Sequence, residues 1–597
     1  MSLQPLTTHE PEIRRTTHAM LVPWGLFAQR MGLIDELAKV PIQQRSQEHA
    51  PQSKLIEFLV AILGGCAYLQ DISRGVHPLD QDQAVADAWG QPGWADYSGV
   101  SRTLHHCTAE TVQAVRQAVG RVSRPFIDRE VVLALQESGV VVYDGDLTGR
   151  PVSNTSTTYP GAAFGWMDDS VRLGYQAALV SMHSPTYGRI WLSVMPHPGD
   201  MVSCHQAEAL VRAAEGCTGV RPLRRTGLLE KRIQEQRIEL QHAQRRLGER
   251  QGQVQVTRRK MQAASDEWRC SLLEVARWME QDGPPRGVSR PYSHLGKARQ
   301  RVTVRWRRLQ RRGREVERAR QAVARQSQKV HRLQSDLATL EVRLAHLVEE
   351  NRTNRAPVHA IFRLDGGFGS GENLAFLIEM GYEVYGKAIS DKVTGALRRR
   401  VTSQTQWTRV GDNAEMVAWS ALKLDFCPYP LDVGLERFRT GQKERYATLV
   451  HYGSRAVTGD LVSWFDFYNA RQTVEAGVKE GKRVFEMHHL KVRSAAGLAI
   501  QEEFAVLAAN LVRWGAAWLY EQPFQAKAPF DRPHASVKQL VRIAANTTAL
   551  VMWQPEGNLL LTFDELSPFP GVELRIGHGW AFQPPLPLYK NDVFEPI

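Results

Sequence analysis

Two hydrophobic periods alternate along this chain. Short β-branched runs ending in acids or glycines, Gly139-Val-Val-Val-Tyr-Asp144-Gly-Asp146 and His359-Ala-Ile-Phe-Arg-Leu-Asp365-Gly-Gly, predict central strands whose ends open onto a site. Gly174 to Met182 and Arg189 to Met195 predict further strands, while Ser203 to Glu215 and Glu372 to Met380 predict helices. Together they predict an α/β fold with a mixed sheet. Between these stretches the period becomes seven. Ile233, Leu240, Leu247, Val254 and Met261 form one row, and Val316, Val323, Val330, Leu337 and Leu344 another, with Leu333, Leu340 and Leu347 beside it. Two helical arms follow, separated by Asp282-Gly-Pro-Pro-Arg-Gly and a stretch through Pro291 to Gly296. Because the break falls midway, the arms predict an antiparallel coiled-coil hairpin in preference to parallel pairing of two protomers. Each arm of roughly 54 residues spans about 80 Å at 1.5 Å per residue.

The flanking regions are less regular. Leu55 to Gly65 and Thr108 to Val122 are apolar-periodic and predict a helical N-terminal domain. Within it, Tyr97-Ser-Gly-Val-Ser101-Arg102-Thr103-Leu104 has the small, polar character of a DNA-recognition helix start, although a helix cap at Ser98 or Ser101 explains the same letters. Residues 405–460 carry aromatic β runs such as Tyr446-Ala-Thr-Leu-Val-His-Tyr, Ala495 to Tyr520 predicts a long apolar helix, and the tail reads as a small strand-containing domain. The expected division is 1–130 (helical), 131–225 (sheet, first part), 226–355 (hairpin), 356–404 (sheet, second part), 405–460 (β-rich insertion), 461–525 (sheet, third part) and 526–597 (tail).

Composition narrows the partners. The chain has 597 residues and a formal charge of +12, which suits a polyanion. The charge is concentrated in the second arm, where Lys297, Arg299, Arg301, Arg305, Arg307, Arg308, Arg311, Arg312, Arg314, Arg318 and Arg320 outnumber Glu315 and Glu317. That excess predicts phosphate contact with strong salt dependence. Six scattered cysteines without a Cys-x-x-Cys pair argue against a zinc ribbon or a disulfide scaffold. The adjacent pairs His105-His106 and His488-His489 read as ordinary residues. With neither a signal peptide nor an 18-residue apolar run in view, a cytoplasmic protein without a membrane partner is expected.

The chemistry concentrates in Trp464-Phe-Asp-Phe-Tyr468-Asn-Ala-Arg471-Gln-Thr-Val-Glu475, continuing to Lys482. At 100° per residue, with Tyr468 as zero, Arg471 falls at about −60°, Glu475 at about −20° and Lys482 at about −40°, so one helical face carries all four. A carboxylate among a guanidinium, an ammonium and a phenol suits a divalent metal beside a phosphodiester. Gly477 and Gly481 each cost about 1 kcal/mol relative to Ala in a helix and predict loosening after Glu475.

This spacing, preceded by two strand-end aspartates, resembles the YREK signature of bacterial insertion-sequence transposases with a DDE active site. The resemblance covers about residues 135–225 and 355–520; the coiled coil is outside it. It implies a ribonuclease-H-like catalytic core in which Asp146, Asp365 and Glu475 are catalytic and hold two Mg2+ ions, with Mn2+ able to substitute. Asp146 is preferred as the first acid because Asp146-Leu-Thr148 resembles the family's Asp-x-Thr, and Asp144 is the alternative. Tyr468, Arg471 and Lys482 would contact DNA, as would Arg307, Arg308, Arg311 and Arg312 of the second arm, and Trp464 or Phe467 would stack on a flipped base. The implied reaction is cut-and-paste transposition of double-stranded DNA by end cleavage, through a hairpin intermediate, and strand transfer by a homodimeric synaptic complex in the bacterial nucleoid. The alternatives are a metal-dependent structure-specific nuclease and an inactive DNA-binding coiled-coil protein.

Overall fold

The computed structural model describes residues 12–45, 48–167, 170–282, 293–441, 443–487, 489, 491–520, 537–554 and 558–577. They fall into two units, one of Met1–Leu223 with Asn354–Ile597 and the other of Arg224–Thr353.

In the first unit a short strand, β1 (Glu12–Thr16), precedes seven helices: α1 (Leu21–Arg30), α2 (Leu33–Ala38), α3 (Pro51–Leu63), α4 (Asp71–Arg74), α5 (Gln83–Ala88), α6 (Tyr97–His106) and α7 (Ala109–Ser138). The cap of α6 is neither Ser98 nor Ser101 but Asp96, whose carboxylate accepts from Gly99 N at 2.8 Å. α7 is twice as long as the expected helix. It starts at a capping box on Thr108 and stops at Gly139, where φ of 70° needs no Cβ, delivering the chain into β2 (Val140–Pro151).

Next come β3 (Ala163–Met167), β4 (Ser170–Ser184), β5 (Gly188–Pro198) and helix α8 (Ala207–Thr218). After the second unit, the first resumes with β6 (His359–Leu364), α11 (Gly371–Glu379), β7 (Glu383–Lys387), α12 (Asp391–Arg398) and strands β8 (Thr408–Arg409), β9 (Ala414–Leu422), β10 (Leu431–Thr440) and β11 (Lys443–Tyr452). They form one mixed sheet of order β3-β4-β2-β6-β7-β11-β10-β9-β8, with β5 paired to β4. β2, β6 and β7 run parallel, while β4 is antiparallel to β2 and β5 to β4. The β-rich segment expected as an insertion is therefore a continuation of the sheet, joined by the antiparallel pairing of β11 with β7.

Helices α13 (Leu461–Asn469), α14 (Gln472–Val484) and α15 (Ala495–Tyr520) complete this region. α15 is the one described helix long and apolar enough to cross a membrane, and 83% of its apolar window is buried, as in a core helix. Its Asn510 bonds both the N–H and the carbonyl of Trp191, where β5 bulges against β4 and the ladder leaves those groups open. The tail is not independent in its pairing. β12 (Ala549–Trp553), β13 (Leu559–Phe563) and β14 (Glu573–Ile576) form a four-stranded sheet whose outer member is β1. The helical N-terminal region likewise belongs to the same unit as the large sheet.

The second unit is two long helices, α9 (Thr226–Asp282) and α10 (His294–Thr353). The connection at 283–292 lies outside the described residues. Pairing is antiparallel, since Arg237 meets Glu341, Gln326 Nε2 donates to the Ala243 carbonyl, Arg250 donates to that of Ala322 and Trp268 packs on Trp306. Leu333, Leu340 and Leu347 are buried as the heptads predict. The facing row of α9 is Leu229, Ala243, Thr257, Ala264 and Ser271, spaced in multiples of seven, and all are buried. Hydropathy does not reveal this row because it is small and partly polar. Thr257 and Ser271 satisfy their hydroxyls on carbonyls of their own helix.

Candidate active site

Asp146 and Asp365 come side by side because of register. β2 and β6 pair in parallel from Val140 with His359 to Gly145 with Leu364, so these two acids are the next step beyond the last pair, at strands roughly 4.8 Å apart. Asp365 then turns the chain into Gly366–Phe368, and Gly369 must be glycine because a Cβ there would run into the Lys387 carbonyl. The same register sets the two candidate first acids apart. Asp144 lies opposite Arg363, which grips both of its carboxylate oxygens at 2.7 and 2.8 Å, and the pair is buried at 1% and 3% exposure. Asp144 is thereby a structural ion-pair member, and Asp146 is the acid that stands next to Asp365.

The helical part of the cluster departs from the expected single face. α13 ends at Asn469 and α14 begins at Gln472, with Ala470 and Arg471 forming a tight turn in which Arg471 N donates to Tyr468 O and Thr473 N to Ala470 O. Arg471 and Glu475 still pair, Nη2 to Oε1 at 3.0 Å. α14 does not loosen after Glu475 but continues to Val484. Gly477 lets α14 pack closely on β5, since a Cβ there would stand 2.8 Å from Arg189 Nη1 and from the Trp191 ring. Lys482 lies in the last turn of α14, about two turns past Glu475 and near 10 Å along the axis.

Electrostatics tie the acids together. Burial, then Asp365, and more weakly Glu475 raise the Asp146 carboxyl to about 7, against the pull of Arg471 and the Leu147 N–H. Burial likewise raises Asp365, helped by Glu475 and opposed by Arg471 and the backbone N–H groups of Phe368 and Gly367. Arg471 is buried, which alone would lower its pKa, yet Tyr468, Asp146, Asp365 and Glu475 together raise it. Three carboxylates thus share one guanidinium. Asp365 Oδ1 and Arg471 Nη1 are both buried without a hydrogen-bond partner, so the cluster retains an acceptor and a donor for something further. Among the described residues no three His, Cys, Asp or Glu side chains stand close enough to hold an ion by themselves.

Two aromatic assignments change. Trp464 is 1% exposed and packs in the core with Ile361, Tyr385, Met416 and Leu449, so it is not placed to stack on a base. An apolar ring at this helix position reads the same in sequence whether it faces core or cleft. Tyr468 is buried too, and its hydroxyl donates to Leu364 O at 3.3 Å. It braces the strand end that carries Asp365 rather than offering a hydrogen bond to solvent. Phe467 packs on Tyr385 with ring centroids 4.7 Å apart.

On α10, Arg308 pairs with Glu267 at 2.9 Å, Arg312 with Glu315 at 2.6 Å and Arg311 with Glu315 at 3.4 Å, while Arg307 is exposed. Pairs this exposed are screened by solvent, hold little stability and can exchange for phosphate. The residues missed in the sequence are Arg363 and Arg189. The parity of Arg363 with Asp365 along β6 was the available signal, since both point to one face.

No model of a known protein family matches this chain, and no curated protein matches it either.

Proposed function

We propose that this chain is a DDE transposase of the YREK class that cuts and joins double-stranded DNA. The observation that carries the reading is the convergence of Asp146, Asp365 and Glu475 around Arg471, at the point where the parallel pairing of β2 with β6 ends. The strand order β5-β4-β2-β6-β7, three antiparallel strands followed by two parallel to the first, supports a ribonuclease-H-like core.

The donor set fits divalent metal. It is all carboxylate, like charges already strain it, and Asp365 Oδ1 lacks a partner. Asp146, Asp365 and Glu475 would hold two Mg2+ ions, or Mn2+, with DNA phosphate oxygens and water completing the ligands. Bound there, such ions supply charge neutralisation and an activated water at the phosphodiester. Arg471 is the phosphate clamp, since its Nη2 is held by Glu475 and its Nη1 is open. Tyr468 fixes the Leu364 carbonyl and so the direction of Asp365. Lys482 and the exposed Arg307, Arg308 and Arg311 supply backbone contacts away from the reacting atoms. Two protomers acting on paired transposon ends are part of this proposal.

The test is to incubate the protein with magnesium and a supercoiled plasmid carrying the DNA that flanks its own gene, beside Glu475→Ala. Excised linear fragment with hairpin ends, absent in the variant, supports the reading. Binding without cleavage in both proteins refutes it, and cleavage that never leads to joining selects a nuclease.

A further inference from the structure

Beside the acidic cluster, on the same face of the sheet, a cavity of about 460 Å3 is bounded by β2, β5, α14 and α15. Val142, Phe467, Ala470 and Ala476 make its apolar wall, and Arg189, Arg363 and Arg513 reach it from three different elements. His183 and Gly188 line it and are exposed, so the cavity communicates with solvent. Two of the guanidiniums are matched: Arg363 by Asp144, and Arg513 by Glu480 at 2.8 Å. Arg189 is not. It is 7% exposed, donates only to the carbonyl and hydroxyl of Thr473, and among the described residues has no carboxylate at ion-pair distance. Three fixed positive charges therefore face two negative ones, with the surplus out of water. Burial, with Arg513 and Arg363 nearby, pulls Arg189 down to about 10 against the opposing pull of Asp144 and Glu480.

We propose that this cavity binds a phosphate group between Arg189 and Arg513, with the apolar wall of Val142 and Phe467 receiving the nucleoside attached to it. Guanidinium forks match phosphate oxygens in pairs, and a partly apolar cavity of this size has room for more than the anion. Val142, Asp144 and Asp146 alternate along one face of β2, which puts the cavity floor at Val142 roughly 13 Å along the strand from Asp146. The phosphate has two possible sources. It is either the terminal phosphate of a DNA strand whose inner phosphodiester lies at the acids, which rests on the transposase reading, or a free phosphate or mononucleotide, which does not.

The experiment titrates the full chain with inorganic phosphate at constant ionic strength without divalent metal, following heat and thermal unfolding. Arg513→Gln should weaken saturable binding about tenfold, the loss of one charged hydrogen-bonding partner. Glu480→Gln, which releases Arg513 from its acid, should tighten binding several-fold. Opposite signs in the two variants are the discriminating result, because both break the same ion pair and a purely structural role predicts equal effects. No saturable binding by the wild type, or the same change in both variants, overturns the proposal. A second arm compares duplexes ending in 5′-phosphate and 5′-hydroxyl. A wild-type preference for phosphate that Arg513→Gln abolishes assigns the group to DNA. If inorganic phosphate binds and neither duplex does, the cavity stands as a small-molecule phosphate site and the DNA reading fails.

Discussion

Replacing Asp146 by Asn should stabilise the metal-free protein above neutral pH, although it removes an acid assigned to catalysis. In the unfolded chain the carboxyl ionises near its ordinary value of 3.8, whereas in the folded protein it holds its proton to about 7. Between those values the folded state binds more protons, so stability falls as pH rises through the window, and the full penalty is present above pH 7. A difference of about three in pKa, at 1.36 kcal/mol for each, sets a ceiling of ~4 kcal/mol. An effective dielectric near 20, which describes even buried sites, brings the expectation closer to ~2 kcal/mol. Asn keeps the side-chain oxygen that accepts from Leu147 N at 2.9 Å, so charge is the main thing removed. The first unit, roughly 470 residues at ~2.1 cal/mol/K each, unfolds with about 1 kcal/mol per degree. Differential scanning calorimetry should accordingly place Asp146→Asn about 2 to 4 °C above wild type at pH 8, with the gap falling by more than half at pH 5. Adding Mg2+ should raise the wild type and not the variant. An unchanged or lower transition for the variant at pH 8, with its circular dichroism intact, would refute the argument that the three carboxylates repel one another in the metal-free protein.

Other perturbations separate catalysis from folding. Asp365→Ala and Glu475→Ala should abolish magnesium-dependent cleavage while leaving DNA affinity in gel-shift assays within a few-fold, and persistent cleavage by either contradicts the mechanism. Asp144→Asn should behave differently, losing about 3 to 5 kcal/mol in denaturant unfolding because it leaves Arg363 buried without its counter-ion. Gly477→Ala should cost about 1 to 3 kcal/mol by forcing α14 off Arg189 and Trp191, and a neutral result would mean that contact is loose. Deleting residues 228–351 should weaken DNA binding and flatten its dependence on salt concentration, and unchanged affinity and assembly would remove DNA contact from the role of the coiled coil.

Local sequence carried much of this architecture. A seven-residue repeat of large apolar side chains is enough to specify two paired helices, and a β-branched run ending at an acid is enough to specify a strand opening onto a site. For that reason α9, α10, β6, the start of β2 and the boundaries of α15 were legible in advance, whereas β2 does not end at its acids but runs on to Pro151, held by its pairing with β4. What the sequence could not decide depends on partners distant along the chain. Asp144 and Asp146 have the same parity on one strand, and only Arg363 across the ladder, 219 residues away in sequence, makes the first a structural ion and leaves the second beside Asp365. Trp464 has the letters of a stacking platform, yet β6, β7, β9 and β11 close over it. The turn at Ala470 and Arg471 has no sequence breaker of its own. Beside it, Arg189 from β5 holds the carbonyl and hydroxyl of Thr473, and Tyr468 is drawn to the Leu364 carbonyl. The small row of α9 is invisible to hydropathy because packing across a helix pair selects for volume there, and β1 joins the tail through a pairing of residues 12–16 with 549–553. Periodicity fixes what a segment can form on its own, and long-range packing fixes which of its faces is buried and which is left for chemistry.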